Sequence, residues 1–286
     1  MQVIRATDMG MCFGVRDALA AARSVDRPSD VTIHGELVHN PIVLNELAEA
    51  GFQQRSEKNR SLPIITPAVL ITAHGISNKE RQRLEKSGKR SLDTTCPLVR
   101  KVHDAASELA AEGRLVLLIG KAGHVEVQGI VEDLESCEVI SSLDQVRCFP
   151  QHSIGIISQS TMPEALVREV SASIRTLNPT SDIRQIDTVC LPTKQRQSAL
   201  HDLLTRVEAV VVVGGSNSNN TRRLVQLCET NGTPAFHVEQ ASQLNPDWFR
   251  DIDTVGLTAG TSTLDETIDE VERRILEIDK PQFASP

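Results

Sequence analysis

A short phrase occurs twice in the chain and each time delivers a cysteine: Asp93-Thr94-Thr95-Cys96-Pro97, and Asp187-Thr188-Val189-Cys190-Leu191-Pro192. A third cysteine, Cys12, sits in Gly10-Met11-Cys12-Phe13-Gly14, at a similar interval upstream. Each of the three follows a short apolar segment and opens a helical pattern, so the chain reads as one supersecondary unit repeated three times. Cysteines delivered at the same point of a repeating unit come together if the units pack around an axis. Three thiolates with one coordination position left open are a ligand set for a metal cluster that does chemistry.

Laid out from each cysteine, the periodicity predicts the same run of elements. In the first unit, helices are expected over 15–24, 41–50 and 78–87, with strands over 31–33, 69–72 and 90–92. The second unit has helices over 98–112 and 163–177, where Pro163 suits a first helical turn, and strands over 115–119, 154–157 and 183–186. The third has helices over 194–207 and 264–278 and another after the loop 214–220, with strands over 209–213 and 254–257. No closing strand follows its last helix, and the segment 2–5 is available to fill that place. The expected fold is therefore α/β: three pseudo-repeated units, 12–95, 96–189 and 190–286, the last completed by residues 1–11. Continuous apolar strands alternating with amphipathic helices imply small, mainly parallel sheets, whose polar loops leave the carboxyl ends and point into a central cleft.

Composition narrows the function. Aromatics are 2% of the 286 residues and tyrosine is absent, so stacking platforms for single-stranded nucleic acid are not expected. The formal net charge of −8 also argues against a nucleic-acid partner. The N-terminus lacks the pattern of a signal peptide, and no apolar run approaches the ~20 residues that span a membrane. A cytoplasmic protein without a membrane partner is expected. There, six cysteines lean toward metal, catalysis or burial rather than disulfides. Cys137, Cys148 and Cys228 lack the repeated context and read as buried thiols.

The loops carry the remaining chemistry. His39, His74 and His124 follow strands and are flanked by Gly or Asn, a donor set able to hydrogen-bond phosphate oxygens. Ser218, Asn220 and Ser262 precede helices, where hydroxyls, amides and open N–H groups attract anions. With the loop 214–220 they read as a phosphate or diphosphate cradle, although no Walker A pattern is present. Glu126, two residues after His124, faces the same side as it if the segment is extended, and a carboxyl in a dry cleft can deliver protons. Ser160 and Thr161 offer hydroxyls for proton transfer or substrate positioning. Arg222 and Arg223 read as exposed helix charges. A cluster-dependent dehydratase or synthase, and a metal-binding redox sensor, also fit three cysteines.

Gly10-Met11-Cys12-Phe13-Gly14-Val15, Val38-His39-Asn40, Ala73-His74-Gly75, Asp93 to Val99, Ala122 to Val127, Ser218-Asn219-Asn220 and Thr258 to Ser262 together resemble the motifs of the 4-hydroxy-3-methylbut-2-enyl diphosphate reductase family. The resemblance runs in order from residue 1 to about 270. It implies a three-lobed α/β trefoil and reductive removal of the allylic hydroxyl of that diphosphate, giving isopentenyl and dimethylallyl diphosphates in the non-mevalonate pathway. It further implies one [4Fe–4S] cluster per chain on Cys12, Cys96 and Cys190, ferredoxin or flavodoxin as electron donor, and a monomer or weak homodimer. By resemblance, Glu126 is the proton donor and His124 binds diphosphate and organises proton delivery. Ser160 assists Glu126, His39, His74, Ser218, Asn220 and Ser262 match the other diphosphate contacts, and Asn219 stands among these. Val125 stands where the family usually has proline, Ser160 where threonine is common, Asn219 for a common serine, and Leu191 where an aromatic is frequent.

Overall fold

The computed structural model describes residues 1–60 and 62–278. In chain order the elements are β1 (Gln2–Arg5), α1 (Phe13–Arg23), β2 (Val31–His34), α2 (Pro41–Glu49), β3 (Gln53–Gln54), β4 (Ala68–Ile71), α3 (Asn78–Lys86), β5 (Arg90–Asp93) and α4 (Pro97–Ala111). There follow β6 (Leu115–Ile119), α5 (Val125–Val131), β7 (Cys137–Ile140), β8 (Ser153–Ser158), α6 (Glu164–Leu177) and β9 (Asp182–Gln185). The last are α7 (Leu191–Leu204), β10 (Ala209–Val213), α8 (Asn219–Thr230), β11 (Ala235–Val238), β12 (Thr254–Ala259) and α9 (Asp265–Ile278).

Among the described residues the strands form three four-stranded sheets, ordered β3-β2-β4-β5, β7-β6-β8-β9 and β11-β10-β12-β1. Every pairing is parallel. The three orders are the same order. In the third sheet β1 takes the place held by β5 and β9, with Gln2 opposite Thr254 and Arg5 opposite Leu257. The α/β class with three small parallel sheets is thus as the sequence predicts.

Contacts divide the chain into two compact units. One holds Met1–Cys12, His39–Pro41 and the chain from Leu191; the other holds Phe13–Val38 and Ile42–Cys190. The first unit contains the β11-β10-β12-β1 sheet. Its strand β10, Ala-Val-Val-Val-Val, is fully buried, with Val211 and Val213 against Ile268, Val271 and Ile275 of α9, and Val210 and Val212 against Leu200, Leu203 and Leu224 on the other face. The second unit contains the other two sheets. There Leu117 and Ile119 pack on Val170 and Ile174 of α6, while Val116 and Leu118 face Val102, Ala106 and Leu109 of α4. Both faces of each central strand are covered, which is why these strands are continuously apolar rather than alternating. Each fully buried aliphatic side chain contributes about 1.5–3 kcal/mol.

Several expectations need correction. The edge strands β3, β7 and β11 were not expected; they are two to four residues long and only partly buried. Pro163 does not enter a first turn: it caps α6 with ψ at 128°, and Glu164 begins the helix. The segment holding Glu126 is helical rather than extended, because His124 caps α5 and Glu126 lies in its first turn. α7 begins at Leu191, directly after Cys190, three residues earlier than the pattern suggests. Among the described residues no helix is long and apolar enough to cross a membrane.

Candidate active site

Each of the three cysteines leaves its sheet through the same backbone device. The Cys96 amide donates to the Ala73 carbonyl at 3.1 Å, the Cys190 amide to Ser160 at 2.9 Å, and the Cys12 amide to Thr261 at 3.0 Å. Ala73, Ser160 and Thr261 each lie two residues past the end of β4, β8 and β12 respectively. The repeated Asp-Thr phrase explains two of these turns. Asp93 Oδ1 accepts from the Thr95 amide at 2.9 Å, and Asp187 Oδ1 from the Val189 amide at 3.2 Å, so each aspartate closes an Asx turn. The following threonine ties the turn to the adjacent strand: Thr94 Oγ1 donates to Ile71 at 2.6 Å and Thr188 Oγ1 to Ser158 at 2.7 Å. Burial would raise the Asp93 carboxyl, but hydrogen bonds from Thr95 and Arg81 outweigh it and hold the group below its ordinary range.

The three cysteines are partly exposed. Gly14, in the first turn of α1, makes room for one of them: a Cβ there would lie 2.4 Å from Cys96 Sγ. The other cysteines differ in kind. Cys228 is buried and Cys137 partly so, and burial pushes both thiols up to about 12, where they are inert. Cys148 is exposed, contrary to the buried thiol expected. Among the described residues no group of three His, Cys, Asp or Glu side chains could hold a single metal ion.

In the larger unit, Glu126 is 2% exposed. Its Oε1 accepts from the Ser160 amide at 2.7 Å and its Oε2 from Ser160 Oγ at 3.0 Å. Burial raises the carboxyl above its ordinary range, and the Ser160 hydrogen bonds only partly oppose this. The result is a carboxyl that holds its proton to higher pH than a surface glutamate does. His124 Nδ1 accepts from the Glu126 amide at 3.2 Å, so in the neutral ring the proton sits on Nε2, which is a donor. The His74 and His124 rings meet edge to face, with centroids 5.9 Å apart. Thr161 Oγ1 accepts from Gln159 Nε2 at 3.3 Å. Glu126, Ser160, Thr161, His74 and His124 thus belong to one unit with Cys96 and Cys190.

The smaller unit carries Cys12, His39, Ser218, Asn219, Asn220 and Ser262. Asn40 Nδ2 donates to the Ser262 carbonyl at 2.7 Å, and Ser262 Oγ to the His39 carbonyl at 3.2 Å, which fixes the His39 segment to the loop after β12. Ser218 caps α8 by accepting from the Thr221 amide at 3.3 Å, leaving its hydroxyl proton to donate elsewhere. Asn220 Oδ1 accepts from the Thr261 amide at 3.0 Å, while its buried Nδ2 has no hydrogen-bond partner. A buried amide donor without an acceptor costs about 1–3 kcal/mol, and an anion at the start of α8 would relieve it. Arg222 and Arg223 are half-buried rather than exposed, and burial lowers the Arg223 guanidinium.

Three features were not read from the sequence. Arg196 lies buried in α7 with its guanidinium on backbone carbonyls. Gly14 has its role only because Cys96 stands above it. A polar cavity of about 410 Å³ in the larger unit is lined by His34, Glu57, Arg60, Ser77, Glu80 and Gln128, and no expected site residue lines it. Burial pulls the His34 imidazole there down to about 4, although Glu80 Oε1 is 2.9 Å from its Nε2.

Comparison with known proteins gives the family. A family model described as LytB protein matches residues 3–276. A relative from Aquifex aeolicus (strain VF5), named 4-hydroxy-3-methylbut-2-enyl diphosphate reductase, is 33% identical over 100% of this chain and 99% of its own length. One of the same name from Geobacter sp. (strain M21) is 36% identical over 99% of this chain and all of its own. The solved reductase of Plasmodium falciparum, at 24% identity, shares the fold with a TM-score of 0.86 over 98% of this chain and 89% of that one. A second solved structure, of (E)-4-hydroxy-3-methyl-but-2-enyl diphosphate reductase, is 32% identical with a TM-score of 0.67, covering 96% of this chain and 99% of that one. With a match over nearly its whole length and full-length relatives above 30% identity, the chain belongs to the LytB protein family.

Proposed function

We propose that this chain is a 4-hydroxy-3-methylbut-2-enyl diphosphate reductase, the terminal enzyme of the non-mevalonate pathway. The observation that carries this reading is the backbone device repeated at Cys12, Cys96 and Cys190, in a chain whose full-length relatives bear that name. Three thiols at equivalent points fit a [4Fe–4S] cluster with one iron not held by the chain, since each thiolate serves its own iron and no two need share an atom. Cys12, Cys96 and Cys190 would hold it. When bound, it supplies single electrons and an open Lewis-acid position for the substrate hydroxyl. The domains 12–95, 96–189 and 190–286 with 1–11 would each contribute one of these ligands.

The chain's own residues do the rest. His39, Ser218, Asn219, Asn220 and Ser262, with His74 and His124, bind the diphosphate. Imidazole, hydroxyl and amide donors hydrogen-bond its oxygens. Glu126, which through burial holds its proton to higher pH than a surface glutamate, gives that proton to the departing hydroxyl. Two electrons from the donor and a second proton from solvent leave the allylic carbon reduced and release water. Ser160 holds that carboxyl in one rotamer by gripping both oxygens, and Thr161 supports the same loop. The electron donor is a one-electron protein of the ferredoxin or flavodoxin kind. The setting is the cytoplasm, and the active form is a monomer or weak homodimer.

The test is strictly anaerobic reconstitution, followed by iron, sulfide and zinc analysis and turnover with a one-electron reductant. About four iron and four sulfide per chain, lost in Cys96→Ser, with C5 diphosphate products by mass spectrometry, is the expected result. Zinc alone, or a loaded chain that turns over the diphosphate without reductant, would refute it.

A further inference from the structure

The smaller unit shows how the third cysteine turn is held. In the other two turns, the residue two before the cysteine is Thr94 or Thr188, and its hydroxyl ties the turn to the neighbouring strand. At Cys12 the corresponding residue is Gly10, at φ 73°. It has no side chain to make that bond, and at this positive φ a Cβ would be strained and would lie 2.8 Å from Ile268 Cδ1. Arg196 is 6% exposed and directs its guanidinium to this point. Its Nε and Nη2 donate to the Gly10 carbonyl at 3.1 and 2.7 Å, and its Nη1 to the Pro192 carbonyl at 2.9 Å. Pro192 lies two residues after Cys190, as Gly10 lies two before Cys12. One planar fork thus joins the backbone flanking the first cysteine to the backbone flanking the third. The equivalent positions in the other units, Ala18 and Val102, cannot do this.

We propose that Arg196 is a positioning residue for the cysteine ligand set: its fork ties the Gly10 turn, which lacks the threonine anchor, to α7, and its fixed positive charge stabilises the reduced cluster. This rests on the three-cysteine cluster proposed above. Two residues of chain span at most about 7 Å, which puts the guanidinium within roughly 10 Å of the Cys12 backbone in a buried setting. Charge there is poorly screened. Lysine keeps the charge but, as a point donor, cannot reproduce a planar fork over two carbonyls.

The test compares Arg196→Lys and Arg196→Gln with the native chain. In cluster-free protein, amide exchange at Met11 and Cys12 is expected to quicken about tenfold or more in both variants, because each loses charge-assisted donors to Gly10. In loaded protein, the midpoint potential is expected to fall in Arg196→Gln and to stay near native in Arg196→Lys. Native protection at Met11 and Cys12 in Arg196→Lys would overturn the anchoring role even if Arg196→Gln fails to fold. An unchanged potential in a folded Arg196→Gln would overturn the electrostatic one. Failure of the native chain to load any cluster would instead refute the proposed function, and the exchange experiment would still judge the anchor.

Discussion

Gly14→Ala asks whether the thiol of Cys96 stands where the structure has it. In an ordinary helix, alanine for glycine gains about 1 kcal/mol. Gly14 is in the first turn of α1, and the new methyl would sit 2.4 Å from Cys96 Sγ and 3.1 Å from its Cβ. Overpacking of this kind costs about 1–3 kcal/mol. The clash should therefore outweigh propensity and leave a net loss of up to about 2 kcal/mol. For a chain of this size each kcal/mol is about 2–4 °C of melting temperature. The assay is a double-mutant cycle on cluster-free protein, using Gly14→Ala, Cys96→Ala and the pair. Removing Sγ leaves only the 3.1 Å contact, which yields by a few tenths of an ångström. In the Cys96→Ala background the substitution should be neutral or stabilising, giving a coupling of about 1–3 kcal/mol. A rise in melting temperature for Gly14→Ala alone, or the same shift in both backgrounds, would show that Sγ is elsewhere and refute the reasoning.

Ser218 serves both as helix cap and as proposed ligand donor, and two substitutions separate these roles. Ser218→Ala should cost about 1 kcal/mol while Ser218→Gly costs a few tenths, since glycine caps nearly as well; both should raise KM alike, as seen by melting curves beside kinetics. Glu126→Gln should abolish turnover yet stabilise the cluster-free chain near neutral pH. The sign follows from the raised carboxyl: the native contribution is fully present below the unfolded glutamate value and is lost as pH rises through the folded one. Denaturant titrations across pH would show that slope vanish in the variant. His34 acts in the opposite sense. Its imidazole is depressed to about 4, so its contribution is present above about 6.5 and is lost as pH falls through about 4. His34→Gln should flatten the acid limb, as measured by the same titrations.

What was legible in the sequence was local. The Asp-Thr-x-Cys phrase could be read because an Asx turn needs only an aspartate and the amide two residues on, and the same few residues say where the thiol leaves the sheet. The central strands were legible because burial on both faces makes them continuously apolar. Short, partly buried edge strands were not. β3 is two glutamines, β7 and β11 carry Glu138 and His237, and they form only because a buried neighbour offers its free edge. α5 was missed because its seven residues include three valines, weak helix formers whose helix is started by the His124 cap. Arg196 could not be seen at all. Its main partner is a carbonyl 186 residues away, and a backbone acceptor leaves no mark on the sequence.

The repeat explains more than the cysteines. The residue after each carbonyl that receives a cysteine amide is His74, Thr161 or Ser262, and all three are proposed site residues. The residue next to the start of the helix that follows the innermost strand is Asn40 before α2, His124 before α5 and Ser218 before α8. His39 adjoins the first of these. Each position lies beyond the carboxyl end of a parallel strand, where a side chain can change without cost to the core. Under the proposed function three equivalent turns would hold three like thiols, while a reaction at one substrate needs unlike groups around it. The chain supplies this by varying the side chains at repeated positions: two imidazoles and a buried carboxyl in one unit, hydroxyls and an unsatisfied amide in the other. The variation also reaches the Cys12 turn, where Met9 and Gly10 stand in place of the aspartate and threonine, and there a buried arginine holds the Gly10 carbonyl instead.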